Sequence, residues 1–225
     1  LNPASNETIA TFAENGAVAL YYDNSVKLQT TTSGSYTTGI HTATSSLVAG
    51  DNADAGVDLR FRANRSSANQ TIGNINGYWN DTVVGQIRFM AGEDTTNKDD
   101  CHLVFYTAAS GTVAERLRID SSGRLLVGVT DSRSVNSAQG SFQIEGTGAE
   151  DSDMSIVRNQ ASSGGPALCF GKSRNASLGG NTVVNDDDQL GAIIFNGNDG
   201  TDLASQGARI DAYVDGTPGS DDMPG

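Results

Sequence analysis

A strand–turn–strand motif occurs twice in this chain, and that recurrence limits the possible folds more than any other feature. Leu20-Tyr-Tyr-Asp23-Asn-Ser25-Val-Lys-Leu28 matches Leu117-Arg-Ile-Asp120-Ser-Ser122-Gly-Arg-Leu125, with Leu, Asp, Ser, a basic residue and Leu at the same offsets. Asp suits a turn because its carboxylate accepts backbone N–H bonds two residues on. The flanking leucines are expected to meet on one face. A second likeness is longer. Gly85-Gln-Ile87-Arg-Phe89-Met-Ala-Gly92-Glu-Asp94 resembles Gly191-Ala-Ile193-Ile-Phe195-Asn-Gly197-Asn-Asp199 with a one-residue gap. Upstream of these, Asp58-Leu59-Arg-Phe61 resembles Ala167-Leu168-Cys-Phe170. A module of 106 residues, counted from Gly85 to Gly191, is therefore read twice, and the second copy stops before its own Leu-x-x-Asp hairpin.

The rest of the pattern is strand-like. Val18-Ala-Leu20-Tyr-Tyr22, Val57-Asp-Leu59-Arg-Phe61, Gln86-Ile87-Arg-Phe89-Met, Leu103-Val-Phe105-Tyr, Leu125-Leu-Val127, Phe142-Gln-Ile144, Ala192-Ile-Ile-Phe195 and Arg209-Ile210-Asp-Ala-Tyr213 all read as strands. Several alternate apolar and polar residues, as a strand with one buried and one wet face does. Turns are expected at Asn15-Gly16, Asn76-Gly77, Asn196-Gly197, Asp199-Gly200 and Asp215-Gly216. Long helical periodicity is missing, and 27 glycines in 225 residues disfavour it further. The best helical stretch, 8–13, is short. The organisation this gives is an N-terminal hairpin segment over 1–34, a first β-module over 35–129, a polar linker over 130–140 and a second β-module over 141–225.

Only 36% of the residues are hydrophobic. A single copy of such a chain buries little apolar surface against about 1–2 kcal/mol of backbone entropy per ordered residue. Assembly with sister copies is the expected remedy. The formal net charge is −13, which opposes nucleic-acid binding and attachment to anionic membrane surfaces. No apolar run is long enough for a membrane span, and no signal peptide is read at the start. Both ends read as cut from something longer.

Each candidate for chemistry has a structural counterpart. Cys101 and Cys169 read as two buried free thiols. The acidic clusters Asp99-Asp100, Glu150-Asp151-Ser-Asp153, Asp186-Asp187-Asp188 and Asp221-Asp222 read as solvated loops, since no Asp-x-Asp-x-Asp-Gly loop is present; a cation held at one cluster is the alternative. Gly77-Tyr-Trp-Asn-Asp81 is the one place where aromatics and a carboxylate lie together, as sugar cleavage would need; the alternative is aromatic packing at a loop base. His41 stands alone. Cys101 and His102 are adjacent on a strand, so they point to opposite faces and form no dyad. Asn-x-Ser/Thr sequons at Asn6, Asn64, Asn69, Asn80 and Asn175 reflect a polar surface. No catalytic, cofactor-binding or metal-binding residue is assigned.

Glu115-Arg-Leu-Arg-Ile-Asp120-Ser-Ser-Gly123-Arg-Leu-Leu-Val-Gly128 resembles the Glu-Arg-x-Arg-Ile-x-x-x-Gly-x-x-Gly-Ile-Gly element of bacteriophage tail-fibre and tail-spike shafts, with Val127-Gly128 in place of Ile-Gly. Asn15-Gly16-Ala-Val-Ala-Leu-Tyr-Tyr-Asp23-Asn-Ser-Val-Lys-Leu28 and Gly207-Ala-Arg-Ile-Asp211-Ala-Tyr-Val-Asp215-Gly-Thr-Pro-Gly219 are similar to segments of cyanophage-like fibres. The likeness covers residues 12–32, 85–128 and 189–225, about half the chain. It implies an all-β, repetitive fibrous structure of short strands and hairpins, intertwined as a parallel homotrimer on a virion tail. The implied partners are sister chains, other tail proteins and a host surface glycan. The implied role is to hold a receptor-binding tip and attach the virion to the host. A polysaccharide-degrading tail spike and a capsid decoration or cement protein stay open as alternatives.

Overall fold

The computed structural model describes residues 7–32, 34–37 and 60–225. His41, Asn6 and residues 57–59 of the strand expected over Val57–Phe61 lie outside the described residues, and Arg60 and Phe61 belong to no strand. Regular structure among the described residues is entirely β, in twelve strands. The chain divides into two compact units, Leu1–Arg60 and Phe61–Gly225.

The first unit is an antiparallel meander of β1 (Ala10–Phe12), β2 (Val18–Tyr22), β3 (Ser25–Thr31) and β4 (Gly34–Thr37), paired in chain order. The stretch expected as a short helix is therefore a strand: three of its residues pair with β2, and cross-strand pairing outweighs weak local propensity. Asp23 and Asn24, with φ of 50° and 55°, close the β2–β3 hairpin through the left-handed backbone that a tight two-residue turn needs. Leu20 lies directly opposite Leu28, as the motif requires.

The second unit holds a six-stranded sheet and a two-stranded ribbon. The sheet comprises β5 (Thr71–Trp79), β6 (Thr82–Ala91), β7 (Cys101–Ala109), β8 (Thr112–Ile119), β9 (Leu125–Val127) and β10 (Phe142–Ile144), in the order β10-β9-β8-β7-β6-β5. All neighbours are antiparallel except β10, which lies parallel to β9 after a crossover. Two-residue turns fall at Asn80-Asp81 and Ser110-Gly111, all four residues having positive φ. Asn76-Gly77 is not a turn: Gly77 pairs with Gly85 inside the β5–β6 ladder, and the chain reverses three residues later. Asn196-Gly197 likewise lies within β11 (Gln189–Gly197), which pairs with β12 (Ser205–Tyr213). Asn15-Gly16 and Asp199-Gly200 lie between strands as expected, whereas Asp215-Gly216 follows β12, the last strand of the chain.

The second copy of the leucine hairpin closes differently. Five residues, 120–124, separate β8 from β9, so Leu117 faces Val127 and Leu125 faces Ile119. The two leucines of the motif do not meet there. Asp120 performs the expected turn role: its Oδ1 accepts the N–H groups of Ser122 and Arg124, both at 2.9 Å.

Gly85 to Asp94 and Gly191 to Asp199 take matching positions. The first stretch lies in β6 and runs into the β6–β7 loop, and the second lies in β11 and runs into the β11–β12 loop. Ile87 pairs with Phe105 and Ile193 with Ile210. Asp94 Oδ1 accepts the amides of Thr96 and Asn97 at 2.8 and 2.9 Å, while Asp199 Oδ1 accepts those of Thr201 and Asp202 at 2.9 and 3.3 Å. Residues 130–140 hold a two-residue reversal at Asn136-Ser137, and Val135 bridges Leu203 in the β11–β12 loop.

Candidate functional site: the two faces of the six-stranded sheet

Pairing register sorts the sheet into two unlike faces. On one face, Ile75, Ile87, Phe105, Leu117, Val127 and Ile144 stand opposite one another in a rung across all six strands. A second rung runs Gly73, Phe89, Leu103, Ile119, Leu125 and Phe142. No charged or polar side chain stands in either rung. Phe61 covers one end: its ring lies 5.6 Å from that of Phe89, in the space that Gly73 leaves by having no side chain. The remainder of this face is open, with Ile75 47%, Ile119 39% and Phe142 52% exposed.

Within this sheet, the fully buried side chains lie on the other face. Val104 and Leu126 are fully enclosed there, and Met90, His102, Arg118 and Asp120 are buried beside them. Polar side chains on this face form a connected series across four strands. Asn74 Nδ2 and Gln86 Nε2 both donate to Asn76 Oδ1, at 2.6 and 2.7 Å, and Arg88 Nε donates to Gln86 Oε1 at 3.0 Å. The Arg88 guanidinium lies 4.2 Å from the centre of the Tyr106 ring, an arrangement attractive to the ring's negative face. Tyr106 O–H meets Glu115 at 3.5 Å, and Glu115 is held by Arg118. Burial and then the Glu115 charge push the Tyr106 phenol up from its ordinary value. The hydrogen bonds that Arg118 donates to Glu115 raise the guanidinium further into its charged range against the cost of burial.

The alternation at Gln86-Ile87-Arg-Phe89 predicts one apolar and one polar face. The division into faces is correct, but the chain encloses the mixed face and leaves the apolar one open. The missed signal was Met90, Val104 and Leu126, apolar residues in phase with Arg88 and Arg118 rather than with the rungs.

The sequence's other candidates disperse. Cys101 and Cys169 are free but exposed, not buried. Cys101 opens β7 opposite Ala91 near the end of the ladder, where the sheet gives little cover. Partial burial of the thiol, then the charge of Asp100, pushes it up, away from the nucleophilic thiolate. His102 is buried on the opposite face from Cys101, as expected. Tyr78 and Trp79 are exposed at the end of β5, not packed at a loop base, and Asp81 sits in the adjoining turn.

The first three acidic clusters each commit at least one carboxylate internally, and Asp221-Asp222 is exposed. Asp100 caps the amides of Glu93 and Asp94. Asp186 accepts Gly216 N–H at 2.6 Å, and Asp151 accepts Gly148 N–H at 2.6 Å. Asp188 takes both Arg174 Nε and a terminal nitrogen, at 2.6 and 2.7 Å, and this pair holds its carboxyl far below the ordinary range. Among the described residues, no three His, Cys, Asp or Glu side chains converge in a metal-holding group, and no helix is long and apolar enough to cross a membrane. Asn69 and Asn175 spend their side chains on Arg118, Glu93, Ser177 and Thr182.

No family model matches the chain, and no curated protein matches it in sequence.

Proposed function

We propose that this chain is a structural, non-enzymatic segment of a phage-type tail fibre, assembled as a parallel homotrimer that holds a receptor-binding tip and attaches the virion to a host cell surface. The observation that carries this reading is the pair of apolar rungs left open on the six-stranded sheet. Five inter-strand gaps of about 4.8 Å make that face roughly 24 Å wide, an apolar patch on the order of 300 Å². A largest patch of this size is ordinary for a single chain and often functional; what supports an interaction face here is that both rungs lack any charged or polar side chain. Sister copies fit it well. A face without charge lets chains of net charge −13 approach without local repulsion. The same apolar exposure recurs at Leu20 and Leu28 in the first unit and at Ile193, Phe195 and Ile210 in the ribbon. Display of three copies would turn weak surface contacts into firm attachment.

Native mass by size-exclusion chromatography with light scattering tests the reading. The expected result is about three times the 23.3 kDa of one chain. A single-chain mass at micromolar concentration would overturn it.

A further inference from the structure

His102 is 5% exposed, and its Nε2 is one of two buried side-chain polar atoms without a hydrogen-bond partner among the described residues. The ring's other nitrogen is engaged: Nδ1 accepts the backbone N–H of Ser121 at 3.2 Å. An imidazole accepting at Nδ1 carries its proton on Nε2 and is neutral. Ser121 belongs to the turn between β8 and β9. The remaining amides of that turn go elsewhere: Ser122 and Arg124 to the Asp120 carboxylate, and Gly123 to the Asp120 carbonyl at 2.9 Å. The Ser121 bond is therefore the turn's tie to β7.

The charged groups around the ring are committed. Asp120 and Arg124 of the turn bond each other at 2.7 Å. Arg118 of β8 holds Glu115. Asp100, just before β7, caps two amides. Met90, opposite on β6, is neutral. Among these neighbours, no carboxylate stands free to receive an N–H at Nδ1.

We infer that the His102–Ser121 bond is a proton-operated latch that ties the β8–β9 turn to β7 at neutral pH and releases it in acid. A second proton on the ring converts Nδ1 from acceptor to donor, facing the Ser121 N–H, so the bond is lost and a charge is enclosed. In the released turn an exposed imidazole takes up that proton near the ordinary pH of ~6.5, so acid favours release. The latch follows from contacts inside one chain and stands apart from the proposed assembly.

Amide exchange by NMR at about pH 7.5 and about pH 5, on either side of that ordinary value and corrected for intrinsic rates, tests it. Ser121 is expected to lose protection about tenfold in acid, the effect of one lost hydrogen bond, while Gly123 keeps its protection. In His102→Gln, where an amide oxygen accepts without titrating, Ser121 is expected to stay protected at both pH values. Unchanged Ser121 protection in the wild-type chain, or a pH response that persists in the variant, would overturn the inference. Should the variant fail to fold, imidazole nitrogen shifts of the wild-type chain decide: an Nδ1 still unprotonated at about pH 5 sinks the latch.

Discussion

Arg118 grips Glu115 through two hydrogen bonds, Nε to Oε1 at 2.6 Å and a terminal nitrogen to Oε2 at 2.9 Å, with both side chains largely out of water. Removing one partner of an enclosed pair leaves a charge that water cannot reach. Arg118→Ala is expected to cost about 3–5 kcal/mol in urea unfolding, whereas Arg118→Met combined with Glu115→Leu recovers most of it. An equal loss in the single and double variants would show that the pair is not what counts.

The open apolar face gives a separate expectation. Phe105 stands at the centre of the first rung. Covering one such ring is worth about 1.5–3 kcal/mol per copy, so Phe105→Glu is expected to lower the native mass to that of one chain with the β circular-dichroism signal retained.

Gly73 is a packing requirement. A side-chain carbon there would lie 2.3 Å from Phe61 Cγ. Gly73→Val is expected to expel Phe61 from its place against Phe89 and cost about 1–3 kcal/mol, read as a lower thermal midpoint. Adding Phe61→Ala makes room, so the double variant loses less than the sum of the two single changes.

Asp120 makes stability pH-dependent in a definite direction. Burial pushes its carboxyl up, but the Arg124 amide and guanidinium and the Ser122 amide outweigh burial and hold it below its ordinary value. A carboxyl depressed in the folded state stabilises fully above its unfolded value of about 3.9, and that stabilisation is lost as pH falls toward the folded value. Unfolding free energy is expected to drop on acidification through this range, with a shallower slope in Asp120→Asn.

The matching loops have matching tests. Asp94 and Asp199 are both held below their ordinary values, Asp94 first by the amide of Asn97 and Asp199 first by the Ser205 hydroxyl. Asp94→Ala is expected to speed exchange of the Thr96 and Asn97 amides, and Asp199→Ala that of Thr201 and Asp202. Asp→Asn, which keeps an accepting oxygen, should preserve most protection at both sites. A change confined to one loop would show that the two are not equivalent.

Much of this was legible in the residues, for local reasons. Alternation at Gln86-Ile87-Arg-Phe89 fixes a strand and its two faces, and the turn at Asp23 and its opposed leucines follow from the motif. Other features depend on distant partners. Asn76-Gly77 carries hairpin chemistry, yet the pairing of Gly77 with Gly85 extends the ladder to Asn80-Asp81. The parallel placement of β10 depends on a crossover that composition reads only as polar. The face that the chain encloses was decided by Val104 and Leu126, whose phase had to be compared across strands.

The parallel seating of β10 has a mechanical consequence. Pull the chain from both ends, and each antiparallel hairpin is loaded at its open end, where its bonds break in succession. β9 and β10 run the same way, so the same pull slides them lengthwise past each other. The bonds from Leu125 to Ser141 and from Glu145 to Val127 then share the load. The shortest strand pair in the sheet is the one mounted to resist tension in shear.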